Sequence, residues 1–384
     1  MNYEPLSSIY YKNPAKYDEC YQSRITSEAT IQLPFLIQDH PAFYLNSPEI
    51  TKVIINIYKR SELINNLCST LPTIAITSFI NKALVEEIMI TNEIEGIRST
   101  RKEVESAINL ANNSSQNKTA RFEGLAKKYI KLIFDEQLKL DRCQDIRKLY
   151  DDIVLNEIND INKPDGVLFR KESVSIYSST QKEKHRGILP ESKIIEVLNQ
   201  GLSLFNDDRL PVLISTALFH YLFGYVHPFY DGNGRTSRFI SSIYLKSELN
   251  ILMALRLSYI IKDNKNDYYN AFDLSNDPKN KGDLTPFVLM FMTLINKATD
   301  DIYDRLETLN TKLKYYDDLL NTPKLSKNEQ QLLYILVQDT LFGEGRISRK
   351  DIAETIKLSI STINTLLNKL SKNITITCEK ESKH

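Results

Sequence analysis

The segment from Leu210 to Val226 constrains the fold most, because its side chains are apolar on nearly every side. A helix that is hydrophobic all round has to be buried by other elements. The segment is shorter than the roughly 20 apolar residues that a membrane-spanning helix needs. A second helical pattern begins at Arg235. We therefore predict a mainly α-helical fold built around these two central helices.

The composition is typical of a soluble globular protein, with 42% hydrophobic and 26% charged residues and a formal net charge of zero. A neutral chain has no overall attraction for nucleic acids or membranes, so such binding would need a local patch. The four cysteines are far apart, and the first residues do not resemble a signal peptide. We expect a cytoplasmic protein with reduced thiols and no membrane partner.

A chain of 384 residues is long enough for more than one domain. Residues 1–45 contain four prolines and are predicted to be extended or loop-rich, whereas amphipathic helical patterns begin near Ser47. We predict an N-terminal helical region over residues 1–120, a catalytic core over 121–320 and a C-terminal module over 321–384.

Residues 174–177 alternate β-branched and polar side chains, as a short strand does, and a polar tip follows them. This pattern predicts a β-hairpin in an otherwise helical protein. We call residues 169–190 the flap.

The twelve residues between the two central helices read H-P-F-Y-D-G-N-G-R-T-S-R, from His227 to Arg238. The D-G-N-G-R stretch at a helix start offers unpaired N–H groups, glycines that permit positive φ and the positive end of the helix dipole. Arg235 and Arg238 are three residues apart, and we expect both guanidinium groups to close over the same anion. That much positive charge favours a di- or triphosphate over a monophosphate.

Two further side chains of the loop carry chemistry. Asp231 is a candidate Mg²⁺ ligand, because hard cations bind carboxylate oxygens. His227 is a candidate general base, since the pKa of an unperturbed histidine lies close to neutral pH. Together these groups indicate attack on a nucleotide phosphate. The alternative is a tight interhelical turn with solvated arginines, but such a turn needs neither the histidine nor the aspartate.

The loop matches, position by position, the H-P-F-x-[DE]-G-N-G-R-x-x-R signature of the Fic family, whose usual activity transfers AMP from ATP to a hydroxyl side chain of a target protein. The resemblance implies that His227 deprotonates the hydroxyl, that Asp231 binds Mg²⁺ and that Arg238 contacts the γ-phosphate. It also implies an anion hole for the α- and β-phosphates, formed by Gly232, Asn233, Gly234 and Arg235. The phosphate-transferring Doc branch lacks the second glycine, so Gly234 favours AMP transfer.

The first part of the flap, F-R-K-E-S-V-S-I-Y from Phe169 to Tyr177, resembles the Fic flap, along which a target protein binds as an added strand. The resemblance extends to residues on the nucleotide side of the site, which are Ile176, Tyr177, Tyr268, Tyr269 and Asn276. The alternative for the two tyrosines at 268 and 269 is ordinary helix packing.

The stretch T-N-E-I-E-G places Thr91 and Glu95 at i and i+4 near a helix end, with Gly96 as the residue that terminates the helix. A glutamate there opposes the helix dipole and needs a compensating cation. The stretch resembles the Fic inhibitory motif [ST]-x-x-x-E-[GN], which implies that Glu95 pairs with Arg238 and blocks the γ-phosphate position. The alternative is an exposed glutamate at a helix end. Removal of AMP with the help of Glu95 also stays open.

From Leu325 onward, three short helical patterns with a tight turn between the last two predict a winged helix-turn-helix module. Its nine basic residues against seven acidic ones are a small excess for a DNA-binding domain. DNA binding and a docking or dimerising role, including a homodimer, both stay open.

The leading prediction is an autoinhibited protein adenylyltransferase that uses ATP and Mg²⁺. The alternatives are a DNA-binding transcription regulator that senses ATP, and a transferase that uses another nucleotide or phosphocholine. An intact His227 favours catalysis, because a sensor does not need a base.

Overall fold

The computed structural model describes residues 3–112, 120–134, 139–177, 183–321, 324–372 and 375. Within these ranges the chain forms seventeen α-helices and two two-stranded antiparallel sheets. The prediction of a mainly α-helical protein with a β-hairpin flap is confirmed. No helix in the described part of the chain combines the length and apolar character needed to cross a membrane.

The helices in chain order are α1 (Leu6–Lys12), α2 (Tyr17–Ile25), α3 (Pro48–Thr70), α4 (Thr73–Ile94), α5 (Arg101–Asn112), α6 (Glu123–Ile133), α7 (Cys143–Ile153), α8 (Glu191–Leu202), α9 (Val212–Val226), α10 (Asn233–Glu248), α11 (Ile251–Ala254), α12 (Leu257–Asp263), α13 (Lys265–Asn276), α14 (Thr285–Leu320), α15 (Lys327–Phe342), α16 (Arg349–Ile356) and α17 (Ile360–Leu370). The strands are β1 (Thr30–Ile37), β2 (His40–Leu45), β3 (Ser175–Tyr177) and β4 (Glu183–Arg186).

The prediction of an extended or loop-rich region over residues 1–45 agrees with residues 30–45, which form the β1–β2 hairpin, and is wrong for residues 6–25, most of which are helical. The prolines favour a loop in the sequence analysis, but Pro34 lies inside β1. The register of the hairpin shifts between Gln32 and Leu36, and a residue without an N–H group is tolerated there. Tertiary hydrogen bonds also support the hairpin: Phe43 N donates to Gly282 O (3.0 Å), and Leu284 N donates to Phe43 O (2.8 Å).

By compactness the chain divides into one unit of Met1–Leu63 with Ala83–Asp301, and a second unit of Ile64–Lys82 with Ile302–His384. The three-part division given by the sequence stays a prediction.

The core of the first unit is α9, in which thirteen of the fifteen residues are buried. Its neighbours α8 and α10 cover it. The buried polar residue His220 is held by its ring nitrogens, Nδ1 to Ser241 Oγ (2.8 Å) and Nε2 to Tyr268 Oη (2.7 Å). Burial lowers the pKa of His220 to about 3, so the ring is neutral at pH 7. The prediction of a buried central helix is confirmed.

In the second unit, α15, α16 and α17 share one apolar core. Its buried members are Leu332, Leu333, Ile335, Ile352, Ile363, Leu367 and Leu370. Lys357, with a left-handed φ of 56°, and Ser359, which caps α17 by accepting from Thr362 N (3.1 Å), make the tight turn between α16 and α17. The helix-turn-helix spacing predicted from the sequence is therefore present.

Asp283 ties the N-terminal residues to the first unit. Its carboxylate is fully buried, accepts hydrogen bonds from Tyr3 Oη and Thr285 N, and pairs with Arg24 Nη1 at 3.3 Å. A buried carboxylate with three donors stabilises the position of α1 and α2, whose sequences carry few other core residues.

We expect Asp283→Ala to lower the free energy of unfolding by roughly 3 kcal/mol, since it leaves a half-buried arginine without its anion. The control is Asp18→Ala, which breaks the pair with Lys281 but removes a carboxylate that is 83% exposed. That variant should match the parent in chemical denaturation. Equal midpoints for both variants would contradict the structural role of Asp283.

Candidate active site

The loop between α9 and α10 is built from two left-handed residues and one side-chain clamp. His227 caps α9 with φ 51° and ψ 63°, and Gly232 caps α10 with φ 77°. The amide of Asn233 accepts from Phe229 N (3.0 Å) and donates to Phe229 O (2.8 Å). Phe229 is fully buried and stacks on Tyr150 with ring centroids 3.7 Å apart. The aromatic ring thus anchors the loop, and the Asn233 side chain holds its shape.

His227 is a neutral base at physiological pH. Burial, together with the charges of Arg170 and His185, lowers its pKa to about 4. Nδ1 is buried without a well-formed hydrogen bond in the described part of the chain, and the Gly224 carbonyl is the nearby group that favours a proton on the ring. A neutral imidazole can accept a proton from a substrate.

Arg238 is buried and held by the end of α4. Its Nε donates to Thr91 Oγ1 (2.8 Å), and its Nη2 donates to Thr91 O (2.9 Å) and to Glu95 Oε1 (2.9 Å). The guanidinium is 2% exposed and the Glu95 carboxylate 23% exposed. The ion pair between Glu95 and Arg238 expected from the sequence is therefore present, and Thr91 contributes two further acceptors.

The Glu95 carboxylate lies directly against Gly234. A Cβ placed on Gly234 would overlap Glu95 Oε1 and lie 2.8 Å from Arg238 Nη1. The carboxylate thus occupies a cradle whose floor is open only because residue 234 lacks a side chain. Its oxygens stand where an anion bound by Arg238 and the start of α10 would place its own.

A Schellman motif fixes the turn that presents Glu95. Gly96, with φ 73°, donates its N–H to Glu93 O (2.9 Å), and Ile97 N donates to Asn92 O (2.9 Å). The terminating role expected for Gly96 agrees with this geometry. Because the helix stops there, the Glu95 side chain is directed at α10 by the last turn of α4.

Arg235 does not converge with Arg238 on one anion, contrary to the expectation from their spacing. Its guanidinium is 1% exposed, and Nη1 donates to Glu157 Oε2 at 2.7 Å. The other oxygen of Glu157 accepts from Phe122 N (3.1 Å). A buried guanidinium needs a counterion, and Glu157 supplies it. Arg235 therefore contributes its backbone to the loop, whereas Arg238 carries the charge beside the cradle.

Asp231 sits at the start of the glycine turn, where Oδ1 accepts from Gly232 N (2.5 Å). No group of three or more histidine, cysteine, aspartate or glutamate side chains suited to a metal ion occurs among the described residues. A single carboxylate fits Mg²⁺ only where a bound ligand supplies further oxygens, which is the usual arrangement with nucleotide phosphates.

The residues expected on the nucleotide side are placed unevenly. Tyr268 is 6% exposed with its hydroxyl bonded to His220, whereas Tyr269 is 44% exposed. Asn276 accepts from Tyr221 Oη (2.6 Å). Ile176 pairs with His185 in the β3–β4 ladder, and the Tyr177 side chain lies outside what the structure describes. Burial of its hydroxyl raises the pKa of Tyr269, Glu95 raises it further and Arg238 lowers it, so the hydroxyl lies within electrostatic range of both residues of the ion pair.

Sequence reasoning missed three charged residues around the site. Glu87 is fully buried and accepts from Tyr129 Oη (3.0 Å), Ser258 N (3.0 Å) and Ser258 Oγ (2.5 Å). Its spacing of four from Thr91, repeated to Glu95, is a signal that could have found it. Glu157 and Arg170 carry no comparable local signal.

Comparisons with known proteins agree with this geometry. Residues 139–245 match the Fic/DOC family model, and residues 325–373 match a winged helix-turn-helix DNA-binding model. A crystal structure of a Fic family protein from Desulfovibrio desulfuricans G20 superposes with a TM-score of 0.52 over 89% of this chain and 92% of that one, at 17% identity. The molecule thus has a Fic-type helical fold with a winged-helix domain at its C-terminal end. The chain carries a Fic/DOC family domain.

Curated relatives share a shorter stretch. The Protein adenylyltransferase Fic of Drosophila yakuba is 37% identical over 91 residues, and that of Drosophila grimshawi is 36% identical over the same length. The matched stretch covers 23% of this chain and 16% of each relative. The similarity to these relatives therefore extends over about a sixth of their length.

We expect Gly234→Ala to lower the free energy of unfolding by about 2 kcal/mol, because the added methyl group would overlap the Glu95 carboxylate. Without that clash, alanine in a helix is favoured over glycine by up to about 1 kcal/mol. The double variant Glu95→Ala/Gly234→Ala should therefore recover most of the loss relative to Glu95→Ala. A double-mutant cycle by chemical denaturation measures this coupling. Equal costs in both backgrounds would show that the carboxylate does not occupy the cradle.

Proposed function

We propose that this chain is an autoinhibited protein adenylyltransferase, which transfers AMP from ATP to a hydroxyl side chain of a target protein. The observation that carries the proposal is the Glu95 carboxylate against Gly234, paired with Arg238, in the loop that bears His227. A site that holds one carboxylate in a glycine cradle beside a buried arginine is suited to a phosphate of similar charge. The names of the relatives over the matched stretch support the same activity.

His227 supplies the proton acceptor in this scheme. In this proposal the proton of the neutral ring lies on the buried Nδ1, which leaves the lone pair of Nε2 to accept the hydroxyl proton. As that proton leaves, the hydroxyl oxygen forms a bond to the α-phosphorus and the bond to pyrophosphate breaks. The low pKa of His227 keeps the ring unprotonated and ready before each turnover.

The start of α10 supplies electrostatic stabilisation of the nucleotide phosphates in this scheme. The N–H groups around Gly232 and Gly234, together with the positive end of the helix dipole, stabilise negative charge on the phosphates. Arg238 is the cation for the terminal phosphate. Mg²⁺ at Asp231, completed by nucleotide oxygens, would neutralise charge on the departing pyrophosphate.

In this proposal Glu95 inhibits by competition. Its carboxylate neutralises Arg238 and fills the space above Gly234, so a terminal phosphate has to displace it. The Glu95 carboxylate and the terminal phosphate compete for charge-assisted hydrogen bonds to the Arg238 guanidinium. Glu95 has the advantage because its position is already fixed by the chain.

We expect Glu95→Gly to increase AMP incorporation at least about tenfold. In the parent the terminal phosphate must displace the Glu95–Arg238 ion pair, which we expect to cost more than about 1.4 kcal/mol. The assay incubates the purified protein with α-labelled ATP and Mg²⁺. It is run with and without an extract of cells that do not contain this protein. Adding His227→Ala should abolish the label in both cases. The matched control is Glu93→Gly, two residues earlier, where the carboxylate pairs with Lys262 at the surface.

The outcomes of this assay distinguish AMP transfer from ATP sensing and from phosphate transfer. Equal labelling by parent and Glu95→Gly would contradict inhibition by Glu95. Binding of ATP by Glu95→Gly without any label would favour the ATP-sensing regulator, and label from γ-labelled rather than α-labelled ATP would favour phosphate transfer. A rise in labelling with Glu93→Gly equal to that with Glu95→Gly would attribute the effect to loss of helix rather than loss of the carboxylate.

We propose a second function for the C-terminal domain, which is to bind duplex DNA through α17. The match to a DNA-binding winged-helix model supports this, and so does the distribution of side chains on α17. Ile363, Leu367 and Leu370 face the core, whereas short polar side chains are exposed. The exposed set is Ser361, Thr362, Asn364, Thr365 and Asn368. Such groups can reach phosphates and base edges.

We expect the full chain to bind duplex DNA with an affinity that falls as salt rises, because phosphate contacts release counterions. Thr365→Glu places a negative charge on the exposed face of α17 and should weaken binding at least about tenfold. Thr311→Glu, an exposed threonine of α14, is the control. Fluorescence anisotropy with labelled DNA from the region upstream of the gene measures both. Binding that ignores salt and Thr365→Glu would favour a protein-docking role instead.

A further inference from the structure

Several carbonyls at the end of α9 and in the loop that follows it accept hydrogen bonds from the flap. The carbonyl of Tyr225 accepts from His185 Nε2 (2.6 Å), and that of Val226 accepts from Ile188 N (3.1 Å). Pro228 O accepts from Arg170 N (3.2 Å). Residues from both ends of the flap thus contact the chain on each side of His227, and we call these contacts the flap anchor.

Arg170 forms the centre of the flap anchor. Its side chain is fully buried, and Nε donates to His227 O at 2.8 Å. Nη1 donates to Glu172 O (2.7 Å), and Nη2 donates to Ile188 O (3.0 Å) and Val226 O (3.3 Å). In the described part of the chain no carboxylate pairs with this guanidinium. Four backbone carbonyls therefore bind a buried cation.

The local sequence makes room for this arrangement. A Cβ on Gly187 would overlap Arg170 Nη2 and lie 3.0 Å from Val226 O and 3.2 Å from His227 Cβ. Gly187 N also donates to Val174 O (2.9 Å), which closes the base of the hairpin. The glycine is required by the close approach of the arginine to the end of α9.

Physical reasons link this cation to the base. The last carbonyls of α9 carry the negative end of the helix dipole, and a cation there stabilises the helix terminus. The planar guanidinium donates in fixed directions, so it sets the relative positions of the carbonyls that it joins. His227 holds a left-handed backbone, a conformation that a histidine keeps only when its surroundings fix it.

We propose that Arg170 is the positioning residue of the active site: by joining both ends of the flap to the backbone of His227, it sets the imidazole and the target-binding strand in one geometry. This inference rests on the proposed function for its consequence, which is alignment of the target hydroxyl with the base. Arg170 itself touches neither substrate nor the reacting atoms.

The charge of Arg170 acts on the ring as well. The titratable groups whose interaction with the His227 ring is resolved are Arg170 and His185, and both lower its pKa below the level set by burial. Removing the guanidinium should therefore raise the pKa of His227 from about 4 towards its ordinary value. With a raised pKa, His227 becomes protonated at a higher pH than in the parent. As the pH falls, the reaction therefore slows earlier in the variant.

The experiment compares Arg170→Met and Arg170→Lys in the full chain carrying Glu95→Gly. Lysine keeps the cation at the end of α9 but loses the planar fork, whereas methionine loses both. The control is Lys171→Met, which removes the neighbouring exposed charge without touching the carbonyls. Selective ¹³C labelling of the five histidines gives resonances that can be followed from about pH 8 to about pH 3, a range that includes the midpoint expected for the parent. The resonance missing in His227→Ala assigns that ring.

In the parent and in Lys171→Met, the His227 resonance should stay at its neutral position down to pH 5. In Arg170→Met it should move with a midpoint about one pH unit or more higher than in the parent, which is at least tenfold tighter proton binding. AMP incorporation by this variant should fall at least about tenfold with little change in ATP affinity, and Arg170→Lys should restore part of it.

A His227 resonance in Arg170→Met that titrates as in the parent, together with unchanged AMP incorporation per folded molecule, would overturn the inference. Lower thermal stability alone would also overturn it, because that is all a structural role predicts. If Glu95→Gly itself incorporates no AMP, the proposed function fails, while the histidine titration still decides the role of Arg170.

Discussion

The buried guanidinium of Arg238 is the group on which the site depends. It lies on the first turns of α10, where burial makes a counterion obligatory, and three acceptors at the end of α4 satisfy it. Two of these belong to Thr91, which is itself buried, and the third to Glu95, which is partly exposed. The difference matters. The threonine contacts fix the arginine, whereas the carboxylate is the one acceptor that an incoming anion can replace without moving a helix.

The remaining charges near the loop are arranged so that each buried cation has its own partner. Arg235 is neutralised by Glu157, and Arg170 is bound by backbone carbonyls. Of these three arginines, Arg238 is the one that pairs with the partly exposed carboxylate of Glu95. Arg235 and Arg238 thus have different partners although they are three residues apart, and His227, whose pKa is low, begins the same loop.

Much of this site could be predicted from the sequence because its signals are local. The loop from His227 to Arg238 is contiguous, and Thr91, Glu95 and Gly96 form a helix end whose unbalanced charge calls for an arginine. The partners of Arg235 and Asp283 could not be predicted, since Glu157 lies 78 residues from Arg235 and Tyr3 lies 280 residues from Asp283. The three-residue spacing predicts that Arg235 and Arg238 lie on one face of α10 and close over the same anion. In the structure their guanidinium groups pair with different carboxylates, Glu157 for Arg235 and Glu95 for Arg238. The β1–β2 hairpin was missed for a related reason, because contacts with residues 282–284 support a strand that contains a proline.

The buried carboxylate of Glu87 has a consequence for how the cradle can open. It is bound to Tyr129 and to the first residues of α12, two turns before Glu95 on the same face of α4. Sliding or lifting α4 as a rigid rod would pull this carboxylate away from its donors and leave it unsatisfied in an apolar interior, which is costly. Unwinding of the final turn around the Gly96 hinge, or a rotamer change at Glu95 alone, avoids that penalty. Under the proposed inhibition, displacement of Glu95 therefore requires movement of only a few residues at the end of α4.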